Sequence, residues 1–254
     1  IASRSVSLYD IAREALKLGV RWLLLENPIS TEPEEARRLQ KAARSAGAHV
    51  WVNFERRYHP AYRLVKRFVE EERLGPLRGV HGQVLTWPVR SAREETGPLL
   101  HDAIHWLDLL LWYAGKPRQV RSRVLPSRFR DARGRRIDDT VFADFVYPEF
   151  SARLESGGRR DFFEFTIRIE FERGRIISGN EGHFFFRSAP SRRYKQFRDL
   201  QSFSPRIPAG HAWLDLYKDI RDNLHDADAA PDYQMLEDAV TGIQLAHSCL
   251  YNSI

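Results

Sequence analysis

The chain has 254 residues, 43% of them apolar, and carries a net charge of +6 at pH 7. That apolar share, with six Trp, nine Tyr and fifteen Phe, excludes a disordered chain and suffices for one large or two ordinary domains. A single cysteine, Cys249, excludes an internal disulfide, and no apolar run reaches the roughly 18 residues of a membrane span.

The start of the chain lacks the basic-then-apolar layout of a signal peptide, so a soluble cytoplasmic protein without a membrane partner is expected. Val6, Leu8, Ile11, Ala12, Ala15 and Leu16 recur at helical spacing and predict a helix ended by Gly19. Trp22-Leu23-Leu24-Leu25 is a short apolar run suited to a strand buried on both faces. Residues 32–46 read as a helix, with Thr31 as N-cap, Pro33 in the first turn, Glu34 at capping-box spacing and Gly47 as the stop. His49-Val50-Trp51-Val52-Asn53 is a second buried strand, and residues 59–73 a further helix. Short apolar strands alternating with helices imply a parallel sheet covered on both faces. Two strands are too few to close such a sheet, and no Gly-x-Gly-x-x-Gly occurs. Either the chain is a fragment short of about 70 residues, about two βα units plus a strand, or it does not bind a dinucleotide in the usual way; it is read as a fragment.

Beyond Leu74-Gly75-Pro76 the pattern changes. Strands are predicted over 77–87, 119–125, 140–147, 150–155, 162–171 and 175–178, joined by turns such as Ser156-Gly157-Gly158 and Arg173-Gly174. One helix is predicted over 97–113, and two more over 212–224 and 233–251. Consecutive strands imply a largely antiparallel sheet, one broad face of which is expected to carry Phe and Val against another subunit. Phe184-Phe185-Phe186 is read as sheet core or subunit interface, and Cys249 as buried and inert. Arginines cluster at 121, 123, 128, 130, 133, 135 and 136, and basic residues again at 187, 192, 193 and 195. An anionic partner would account for them, but without a nucleic-acid-binding motif a solvated or intersubunit surface is preferred.

Three segments in order resemble the glucose–fructose oxidoreductase/inositol dehydrogenase (Gfo/Idh/MocA) family. They are Leu25-Glu26-Asn27-Pro28, where the family has Glu-Lys-Pro; Asn53-Phe54-Glu55-Arg56-Arg57-Tyr58-His59-Pro60; and Gly97 to Asp108, similar to a glycine-led helix ending in His-x-x-Asp. The resemblance implies α/β plus α+β architecture: a partial Rossmann-type parallel sheet over residues 1–73, then a largely antiparallel substrate-binding and oligomerisation domain over 74–254. It implies NAD or NADP as cofactor, a sugar or polyol as substrate, and a homo-oligomer, dimer or tetramer. By the same resemblance Ser3, Arg4 and Leu8 line the cofactor, Glu26, Asn27 and Pro28 shape the nicotinamide pocket, with Pro28 commonly after a cis peptide, and Arg57 and Asn27 face the substrate. His105 lies nearest the reacting hydroxyl, and Asp102 or His101 orients it or relays its proton.

On a continuous helix His101 and His105 share one face, as do Asp102 and His105. The same two histidines could clamp a zinc ion, but no third ligand is apparent and no metal is expected; they could also simply pack in an interdomain cleft. The departures from the family are Asn27 for its lysine, His101 where Asp or Asn is frequent, and Ala103 for glycine. Asparagine can hydrogen-bond a hydroxyl but supplies no cation and takes no proton at neutral pH. A non-catalytic sugar-binding relative is therefore the alternative, and a polyanion binder a more distant one.

Overall fold

A computed structural model of the chain describes residues 5–91, 96–226 and 230–251. Helix α1 (Ser5–Lys17) turns Leu8, Ala12 and Leu16 inward, and the chain reverses at Gly19, whose φ of +90° suits glycine. Strands β1 (Trp22–Leu25) and β2 (His49–Val52) pair in parallel, Trp22 opposite His49 and Leu25 opposite Val52. Helix α2 (Pro33–Ser45) is the crossover between them. Its cap falls on Glu32, not on Thr31 as expected, because Pro33 sets the first helical position. Ser30 does the local bonding instead: its hydroxyl accepts from the Glu32 N–H at 3.0 Å and donates to Glu35 at 2.6 Å. After β2 come a 3₁₀ turn, η1 (Glu55–Tyr58), and helix α3 (Pro60–Glu70), whose first turn is capped by the His59 ring accepting from the Ala61 N–H.

The second sheet has eight strands: β3 (Leu77–Leu85), β4 (Gln119–Arg130), β5 (Arg136–Val146), β6 (Ser151–Gly157), β7 (Glu164–Phe171), β8 (Gly174–Gly179), β9 (Gly182–Pro190) and β10 (Arg198–Phe203). Their order is β10-β9-β8-β7-β3-β6-β5-β4, and every neighbouring pair is antiparallel except β3 with β6. Strand β9 takes in the Phe184-Phe185-Phe186 run read as sheet core, whereas β10 (RDLQSF) had no predicted counterpart, since it alternates without a strong apolar signal.

Cross-strand register divides the sheet into two faces. Val80, Val84, Phe145, Leu154, Phe165, Ile167, Ile169 and Ile176 point to the helix side and are buried. Trp106 lies flat on this side over Gly82, where a Cβ would fall 1.8 Å from the indole nitrogen. The opposite face carries only scattered phenylalanines, Phe142 and Phe184 among them, rather than the expected Phe and Val stripe. Alternation sends most of the apolar strand residues to the core and leaves a row running Arg121, Asp144, Arg153, His81, Arg168, Ile177 and Phe184 across the strands.

The helix predicted over 97–113 is two helices, α4 (Pro98–His101) and α5 (Ile104–Ala114), broken at Asp102-Ala103. The break has a tertiary cause. Asp138, buried on β5, presses against Gly97 and accepts the Leu99 N–H at 3.0 Å, so α4 is pinned to the sheet while α5 turns away beneath it. Helix α6 (Ala212–His225) lies over η1, and α7 (Gln234–Tyr251) packs on α5, α2, β2 and β4. Helix α7 thereby joins both sheets into one apolar core, with Cys249 buried in it.

Candidate active site

In a parallel pair both carboxyl ends open on the same side, so the residues after β1 and β2 meet. Asn27-Pro28 is a cis peptide at the end of β1. The Asn27 amide donates to the Asn53 carbonyl at 2.6 Å, and the Asn53 amide donates to both Glu26 carboxylate oxygens at 2.9 and 3.1 Å. This clasp makes Glu26, Asn27, Pro28 and Asn53 a single unit. One of the two Asn27 amide N–H donors is thus given to backbone.

His105 stands in the first turn of α5, facing the second carboxyl end. Its Nδ1 is 3.6 Å from Glu55 Oε2, within ion-pair range, and has no hydrogen-bond partner among the described residues. The Phe54 ring meets the imidazole edge-on with centroids 6.0 Å apart. Burial holds the pKa of His105 below that of free histidine; Glu55, Asp102 and Glu26 pull it back up, and Arg56 pushes it down. The ring is therefore neutral at neutral pH and has a lone pair to accept a proton.

The other anticipated residues fall out differently. The break at Asp102 undoes the shared face of His101 and His105. The His101 side chain is 70% exposed and pairs with Asp102 at 3.0 Å, whereas His105 is turned inward. A zinc clamp by the two histidines loses its helical basis for the same reason. Arg57, expected at the substrate side, is buried in an ion triad: it holds both Asp108 oxygens (2.6–3.0 Å) and Asp238 at 2.7 Å, tying η1 to α5 and α7. Leu8 is fully buried in α1, and Ser3 and Arg4 lie outside the described residues. Sequence reasoning passed over Glu55 and Asn53 as site residues. Their position just past a buried parallel strand was the available signal, because polar residues there line the crevice of open α/β sheets.

Two family models match the chain. One, described as the oxidoreductase family, NAD-binding Rossmann fold, covers residues 1–54; the other, the GFO/IDH/MocA C-terminal domain, covers residues 62–177. The chain belongs to the Gfo/Idh/MocA family. Its fold is that of solved family members. Levoglucosan dehydrogenase in complex with NADH superposes with a TM-score of 0.80 at 16% identity, over 98% of this chain and 75% of that one. A putative NADPH-dependent oxidoreductase from Desulfitobacterium hafniense gives 0.83 at 12%, over 100% and 76%. The UDP-N-acetylglucosamine 3-dehydrogenase of Acidithiobacillus ferrooxidans gives 0.77 at 16%, over 100% and 77%. No curated protein sequence matches.

As a Gfo/Idh/MocA chain with an NAD-binding Rossmann segment, the molecule has NAD or NADP as its cofactor class. The residues present fit the nicotinamide end. Asn53 Oδ1 is a buried acceptor without a partner among the described residues, at the carboxyl edge of the sheet and complementary to a carboxamide N–H. No Gly-x-Gly-x-x-Gly for a pyrophosphate occurs in the 254 residues. Among the described residues no helix is long and apolar enough to cross a membrane.

Proposed function

We propose that this chain carries the nicotinamide-side and substrate-side residues of an NAD(P)-dependent oxidoreductase acting at a carbinol carbon of a sugar, sugar derivative or polyol. The observation that carries the reading is the neutral, inward-turned His105 beside the Glu26-Asn27-Pro28 clasp. Residues 1–73 would contribute to cofactor binding, with Glu26, Asn27 and Pro28 on the nicotinamide side, and residues 74–254 to substrate binding. The bound nicotinamide supplies the hydride acceptor, or the donor in the reverse direction. His105 takes the hydroxyl proton as the carbon is oxidised, since a carbonyl forms only if that proton leaves. Asn27 serves as neither base nor cation. Asp102, paired with the exposed His101, is suited to passing the proton to water. The family and the open outer sheet face support a homo-oligomer, and the lone buried Cys249 is in keeping with a cytoplasmic protein.

His105→Ala is expected to lower turnover of levoglucosan, used as the polyol with NAD⁺ or NADP⁺, by roughly 10²-fold while leaving nucleotide affinity nearly unchanged. Unchanged turnover would sink the hydride-transfer reading, as would failure to bind NAD(H) or NADP(H) above background. The alternative, a non-catalytic sugar binder, draws on Asn27, which supplies neither cation nor base and gives one of its amide N–H groups to the Asn53 carbonyl. It predicts sugar binding without nucleotide-dependent turnover. A polyanion binder is disfavoured, because Arg133 and Arg135 from the basic cluster are held by Glu32, Glu35 and Asp131.

A further inference from the structure

Three carboxylates act on His105, and only one is both near and uncommitted to a closer partner. Glu26 is held by the Asn53 amide at 2.9 and 3.1 Å. Asp102 is paired with His101 at 3.0 Å. Glu55 sets its Oε2 3.6 Å from His105 Nδ1, while its Oε1 is 3.9 Å from Arg56 Nε, a looser contact. Both side chains of the pair are shielded, at 22% and 20% exposure. We infer that Glu55 is the positioning residue of the site: its carboxylate accepts the Nδ1–H of His105 and so leaves Nε2 as the proton acceptor for the substrate hydroxyl. This rests on the proposed hydride-transfer role of the site.

A histidine's reactive nitrogen is set by the hydrogen bond that the other nitrogen makes. Nδ1 is buried and lacks a hydrogen-bond partner among the described residues, and leaving such a group unpaired costs about 1–3 kcal/mol. Closing 3.6 Å to a hydrogen bond takes only a small turn of the Glu55 side chain, and catalytic hydrogen bonds commonly tighten when substrate binds. The edge-on Phe54 limits the imidazole's freedom to swing away. An oxidised nicotinamide held there would accept the hydride from the substrate carbon. The O–H proton goes to Nε2, the carbonyl forms, and the resulting imidazolium rests against the Glu55 carboxylate. The arrangement belongs to this chain's own residues, for Glu55 comes from the turn after β2 and His105 from α5, 50 positions apart.

The groups facing His105 are Glu55 and Arg56 from η1, Asp102 from the break before α5, and Glu26 from the end of β1. Removing Glu55 leaves Arg56 less opposed, so the imidazole should become harder to protonate. The test is the NMR titration of His105, assigned by the signal lost in His105→Gln, with no nucleotide present. Glu55→Gln is expected to lower the titration midpoint by roughly one unit, and Glu55→Asp, which keeps the charge, by less. Asp102→Asn should move it less than Glu55→Gln. In turnover of levoglucosan, Glu55→Gln should cut kcat by roughly tenfold or more and move the acid limb of kcat/KM to lower pH, with nucleotide affinity unchanged. An unmoved midpoint in a Glu55→Gln chain that melts like the parent overturns the inference. So does a larger shift in Asp102→Asn; should Glu55→Gln not fold, an unmoved midpoint in Glu55→Asp does the same. These outcomes are separable from the fate of the hydride-transfer reading, which His105→Ala decides by turnover.

Discussion

Asp138 is buried against the start of α4, and burial pushes its carboxyl up to about 6, outweighing the Leu99 N–H that favours the ionised form. The folded state therefore keeps this proton over a window where the unfolded chain has already lost it, from about pH 4 to about pH 6. A raised carboxyl pKa means stability falls as pH rises through that window and is level above it. Two units correspond to about 3 kcal/mol. Asp138→Asn keeps an acceptor for the Leu99 N–H and cannot ionise. Its urea midpoint relative to the parent should therefore be higher near pH 7 than near pH 4; equal differences at both would reject the assignment. Arg57 shows the converse case. Its guanidinium neutralises the buried Asp108, so Arg57→Met should destabilise by about 3–5 kcal/mol in equilibrium unfolding. Cys249 should resist thiol reagents until the protein unfolds, since burial pushes its thiol up to about 12.

At the scale of elements, the tip of the β4–β5 hairpin grips the start of α2. Glu32 Oε1 receives Arg133 at 2.9 Å and Arg135 at 2.6 Å, Arg133 also reaches Glu35 at 3.1 Å, and Asp131 braces Arg135 at 2.9 Å. Ser30 connects this network to the segment just after the cis Asn27-Pro28 bond. Arginines that composition alone marks as a basic surface thus anchor one sheet to the other. The double variant Arg133→Ala, Arg135→Ala should accelerate amide exchange in residues 29–36 by roughly tenfold while leaving the β7–β8 strands protected. Partial exposure of Arg133 keeps the loss in global stability small, on the order of 1 kcal/mol. Exchange that stays slow at residues 29–36 would show the grip to be dispensable.

For the whole molecule, the outer face of the eight-stranded sheet is mixed in charge, with Phe142 at 40% and Phe184 at 48% exposure set among it. Opposed charges in a row are compatible with self-pairing about a two-fold axis. Sedimentation velocity should show a dimer or larger assembly that weakens with salt, and Phe142→Glu should shift it to monomer. A parent chain that sediments as a monomer would remove the homo-oligomer from the proposal.

Much of the architecture was legible because its signals are local. The runs Trp22–Leu25 and His49–Val52, with α2 between them, announce a parallel βαβ unit, and the switch to consecutive strands after Gly75 announces the second sheet. The three family segments are likewise contiguous stretches, and they brought His105 and the cis Asn27-Pro28 turn into view. What stayed hidden depends on contacts between distant residues. The break that separates His101 from His105 follows from Asp138, 36 residues beyond Asp102, gripping α4. Arg57 became a buried strut only because Asp108 and Asp238 converge on it from α5 and α7. Glu55 meets His105 only because the carboxyl end of β2 faces the start of α5. Periodicity and capping are short-range, so the sequence alone determines the elements and their kind; which side chains share a site is decided by how those elements pack.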